Sequence, residues 1–63
     1  MNAVFVQADR ATLTARRERA LASVDMTADE LRARVESGRA LPDEREAWEE
    51  VDAVDFLLAN LPE

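Results

Sequence analysis

The chain has no cysteine and no histidine. These absences exclude disulfides, thiolate chemistry, the usual zinc sites and the imidazole that most often serves as general base near neutral pH. Lysine is missing as well: all eight basic residues are arginine. That pattern reads either as a GC-rich coding bias or as selective use of planar guanidinium forks for phosphate or carboxylate. Only three residues are aromatic, and there is one glycine. No apolar run reaches the ~18 residues that a membrane span needs. The N-terminus lacks the basic-then-apolar pattern of a secretory signal, so the expectation is a cytoplasmic protein with no membrane partner. Sixty-three residues allow one domain, and a chain of this size buries only about 60% of its unfolded surface. With disulfides and the usual zinc sites excluded, another chain is the remaining source of extra stability, in a homo- or hetero-oligomer.

What is present is apolar and acidic. Hydrophobic residues make up 48% of the chain, too many for plain disorder, and the net charge is −6. The charge is unevenly spread. The first forty residues hold seven arginines against six acids, while from Leu41 onward eight acids face the single base Arg45.

The residue pattern predicts an all-α fold, a small three-helix module with helices at about 10–24, 27–37 and 43–61. Residues 3–8 (AVFVQA) have strand character but no partner strand within the chain, so residues 1–8 are left as strand, helix extension or disorder. Asp9 is placed to cap the first helix. Its stripe of Leu13, Ala20, Leu21 and Val24 is interrupted by Arg16 and Arg17. The second helix opens on Thr27-Ala28-Asp29-Glu30, a capping box, with Met26 and Leu31 at the positions of a hydrophobic staple. Ala28, Leu31 and Val35 share one face, Glu30 and Arg34 form an i,i+4 pair, and Gly38 suits a left-handed C′ position. The third helix starts either with Pro42 at its first position or with Asp43 as N-cap and Glu46 three residues on. Asn60 and Pro62 end it.

In the third helix, Ala47, Val51, Val54, Leu57, Leu58 and Leu61 fall on one stripe with the alternating spacing of a helix that packs on helices. Trp48 and Phe56 do not fit that stripe. Phe56 projects opposite it, Trp48 lies off its edge, and Asp52, Asp55 and Ala59 lie beside them. An aromatic pair among carboxylates has the form of an interface anchor with a charged rim. The expected partner-binding set is Trp48, Val51, Asp52, Asp55, Phe56 and Ala59. The alternatives are that the N-terminal segment folds back over Phe56 or that the ring is simply exposed.

No catalytic residue, metal ligand or cofactor site is expected. Paired carboxylates work in catalysis only where a partly dry pocket separates their pKa values, and Glu46, Glu49 and Glu50 read as a solvated face. Arg10, Arg16, Arg17 and Arg19 make the first helix locally basic, and a strand followed by two helices is the ribbon-helix-helix order. A dimeric DNA-binding repressor is therefore the second reading, opposed by the net negative charge. A self-assembling helical bundle is a third.

The capped segment TADELRARVESG, the proline-started junction and the acidic apolar helix EAWEEVDAVDFLLAN together resemble the small antitoxins of type II toxin–antitoxin pairs. The likeness covers residues 27–60 and is a pattern of elements. It implies a non-enzymatic protein that holds a cognate toxin inactive by laying a helix over its active-site cleft. The toxins of such pairs commonly act on RNA or nucleotides, and a nucleotidyltransferase-type toxin or a ribonuclease would both suit. Their clefts tend to be basic, which an acidic helix with aromatic anchors would complement. A clear DNA-reading domain, common in such antitoxins, is not visible here.

Overall fold

A computed structural model describes residues 9–61, and the chain segment from Asp9 onward folds as three helices. Helix α1 spans Arg10–Val24, α2 Ala28–Glu36 and α3 Pro42–Ala59. No strand occurs among the described residues. The strand character assigned to residues 3–8 lies outside them, as does the stop signal at Pro62.

Each helix is started by a short side chain or ring suited to the position. The Asp9 carboxylate accepts from the Thr12 N–H at 2.8 Å and satisfies one of the first-turn donors of α1. At α2 the capping box is complete: Glu30 N–H donates to Thr27 Oγ1 at 3.1 Å, and Thr27 N–H donates to Glu30 Oε1 at 2.9 Å. At α3 it is Pro42 that occupies the first position, with Leu41 as the extended N-cap residue. Leucine has no acceptor, so only the reciprocal half of a capping box forms there: Leu41 N–H donates to Glu44 Oε1 at 3.0 Å. Glu44, three residues after the cap, therefore takes the role that the Asp43 alternative assigns to Glu46.

Each connection holds one left-handed residue near its start. Asp25 (φ 56°) follows α1 and Gly38 (φ 76°) follows α2. In each case two backbone bonds fold the chain back on the helix end. Met26 N–H reaches Leu21 O and Asp25 N–H reaches Ala22 O, while Arg39 N–H reaches Arg34 O and Gly38 N–H reaches Val35 O. These are two Schellman closures. Gly38 was legible from sequence as such a residue. Asp25 was not, because an aspartate occupies the left-handed region only where the backbone bonds around it outweigh the Cβ clash.

Helix α3 is the centre of the packing, with α1 laid along it and α2 folded onto it, while α1 and α2 hardly meet. The core is small: Leu13 from α1, Leu31 from α2, and Ala47, Val51 and Val54 from α3. Ala28 and Val35 flank Leu31 half-buried, as their shared face predicts. The far end of the α3 stripe is open. Leu58 and Leu61 are half-buried and Leu57 is 38% exposed. Leu57 lies roughly 80° around the helix from Ala47 and the centre of the stripe, too far to be covered by α1. Among the described residues no helix is long and apolar enough to cross a membrane.

Candidate interaction face on the third helix

The arginines that interrupt the α1 stripe belong to the interface. Arg16 Nε donates to Glu50 Oε2 at 2.8 Å, and Arg17 Nε donates to Asp55 Oδ1 at 2.7 Å. Both arginine residues are half-buried, so their methylene stems extend the apolar contact while their heads reach carboxylates. The Arg16 guanidinium holds the Glu50 carboxyl below its ordinary range, against the opposing effect of burial, and the Arg16 value is raised in return. Glu50 is thus a structural partner of α1 and not a member of a solvated face, unlike its exposed neighbours Glu46 and Glu49.

A second junction ties α2 to α3. Glu44 is buried at 6% exposure. Arg34 donates to it through Nε and Nη2, each at 3.1 Å, one to either carboxylate oxygen. The Leu41 N–H is the larger cause of a lowered Glu44 pKa; burial opposes it and Arg34 reinforces it. A buried carboxylate needs such partners. Arg34 therefore turns to Glu44 across the junction, and the expected i,i+4 pair with Glu30 does not form: Glu30 serves its own cap.

The six residues of the expected partner-binding set separate in three dimensions. Val51 is fully buried and belongs to the core. It cannot meet a partner because the fold already covers it. Asp55 is held by Arg17 at the α1–α3 boundary. Trp48 is half-buried at the opposite margin from Leu57. Asp52, Phe56 and Ala59 are exposed together. Phe56 is 66% exposed, the most open large apolar side chain among the described residues. Glu49, Ala53 and Asn60 share its face at helical spacing and are also exposed. These three are not in the set expected from sequence, although the same wheel that places Phe56 opposite the stripe places them around it.

The rest of the surface offers little chemistry. A shallow, open hollow on α2 is lined by Met26, Glu30, Ala33, Arg34, Ser37 and Arg39, and of its two arginines Arg34 is already engaged by Glu44. Among the described residues no group of three or more acidic side chains converges where it could hold a metal ion. Comparison with protein-family models, with curated proteins and with solved structures finds no match to this chain.

Proposed function

We propose that this protein is a non-enzymatic, antitoxin-like inhibitor that binds a partner enzyme through the outer face of its acidic third helix. The observation that carries the reading is Phe56, 66% exposed on the side of α3 turned away from the core. Large aromatic side chains set in a charged rim are the usual anchors of protein interfaces. The site has the composition for docking, and the hollow among the described residues is shallow and open, unlike the enclosed pocket of a small-substrate site. The resemblance to type II antitoxins suggests the class of partner, a toxin acting on RNA or nucleotides whose cleft is basic.

The basic first helix gives less support to DNA binding than its sequence does. Arg16 and Arg17 are both engaged by α3 carboxylates, which reduces the positive charge that α1 presents to phosphate.

The test is complex formation with the product of the adjacent gene and inhibition of its activity. A Trp48→Ala, Phe56→Ala double variant that keeps its helical content should lose both. Undiminished inhibition by that variant would remove the outer face of α3 from the proposal.

A further inference from the structure

The acids of α3 divide into those the fold answers and those it leaves open. Glu44, Glu50 and Asp55 are each paired with an arginine of α1 or α2. These three are the ion pairs between described residues, and none of them involves Glu49 or Asp52. Those two exposed carboxylates stand about two turns and one turn before Phe56, about 20° and 40° to either side of it. Beyond Phe56, Ala59 and Asn60 are short and exposed, and Asn60 is turned back to the backbone, donating from Nδ2 to the Phe56 carbonyl at 2.8 Å. Among the described residues the ring therefore projects from low surroundings, with carboxylates free of ion pairs on its N-terminal side.

We infer that this face seats on a basic protein surface. Phe56 enters an apolar groove rimmed by Arg or Lys, and Glu49 and Asp52 meet the rim, with Ala53 and Ala59 allowing close approach of the two backbones. The inference rests on the proposal that α3 is a docking helix, and it names the partner's chemistry and the residues that read it. Charge selects this occupant. A nucleic acid or an anionic membrane would meet a chain of net charge −6 and two unpaired carboxylates at the point of contact, and like charges repel. A second copy of the chain would bring a further net charge of −6 to the same face.

The full-length chain, isotopically labelled, is titrated with two amphipathic helical peptides, one of leucine and arginine and one of leucine and glutamate, with NMR amide shifts and Trp48 fluorescence as readouts. The expected result is binding of the basic peptide alone. Shifts are confined to the face from Glu49 to Asn60, affinity falls as salt is raised from about 50 to about 500 mM, and Phe56→Ala weakens binding by at least about tenfold. A Glu49→Gln, Asp52→Asn variant, which leaves the ring and the core in place, should lose most of the salt dependence.

Four outcomes overturn the inference. The first two are absence of binding and shifts centred on α1 or α2. The third is Phe56-dependent dimerisation in sedimentation, and the fourth is contact in the free chain between the Phe56 ring and Val4, Phe5 or Val6. Failure with the adjacent gene product while the basic peptide binds as described would remove the antitoxin reading and leave this inference standing.

Discussion

Arg17 Nε lies 2.7 Å from Asp55 Oδ1, and the preceding residue, Arg16, reaches Glu50 at 2.8 Å. Positions 50 and 55 are about 140° apart around a helix, with Ala47, Val51 and Val54 between them. Two consecutive arginines of α1 thus grip α3 on opposite margins of its buried stripe. The clasp brackets the buried stripe of α3 from both sides.

Both pairs are more than a third exposed on at least one side, so each contributes little to stability. A double-mutant cycle on Arg17→Ala and Asp55→Ala is expected to give a coupling of about 0.2–1 kcal/mol. The coupling should shrink as salt is raised. A value that does not respond to salt would mean that the arginine acts through packing of its stem alone.

The core predicts a much larger effect. Leu31 is the only fully buried side chain of α2. Leu31→Ala is expected to cost about 2–5 kcal/mol, comparable to the whole stability of a domain this small. Circular dichroism in urea should find α2 detached or the chain largely unfolded. By contrast Phe56→Ala, on the open face, should change stability by less than about 0.5 kcal/mol.

The two left-handed residues predict opposite responses. Gly38 has open space where a Cβ would sit, so Gly38→Ala meets only the backbone penalty and should cost roughly 1 kcal/mol. Asp25→Gly relieves that same penalty and should gain a few tenths to about 1 kcal/mol. Thermal melts of the two variants should fall on either side of the parent. A stabilised Gly38→Ala variant would contradict the conformation assigned to that junction.

Acid should destabilise the fold. The carboxyls of Asp9, Glu44 and Glu50 are all held below their ordinary values, mainly by the Thr12 N–H, the Leu41 N–H and Arg16 respectively. A depressed folded-state value means that the stabilisation is fully present above the ordinary carboxylate range. It is lost as pH falls through that range toward the lowered values. The melting temperature is expected to be flat near neutrality and to drop below the ordinary range. Glu44→Gln should flatten that drop while lowering the plateau, because an amide keeps an acceptor for the Leu41 N–H but loses the charge that faces Arg34. An unchanged acid profile in this variant would show that Glu44 is not a source of the pH dependence.

Much of the architecture is a local property of the chain and was legible in it. Asp9, the Thr27–Glu30 box, Pro42 and Gly38 act on backbone groups within four residues of themselves, so their spacing alone sets where helices begin and end. The period of Ala47, Val51 and Val54 likewise marks one side of α3 for burial, and by the same geometry it turns Phe56 outward. Partner choice between charges is a different matter. Glu30 and Glu44 both stand within reach of Arg34 in principle, and only the fold of α2 onto α3 made the buried, cap-forming Glu44 the partner. Arg16 and Arg17 look like breaks in an apolar stripe until α1 lies on α3 and their stems pack while their heads find Glu50 and Asp55. Which of the described acids stay outside ion pairs was therefore a tertiary outcome: ion pairing depends on distances across helices, whereas capping and periodicity depend on distances along one.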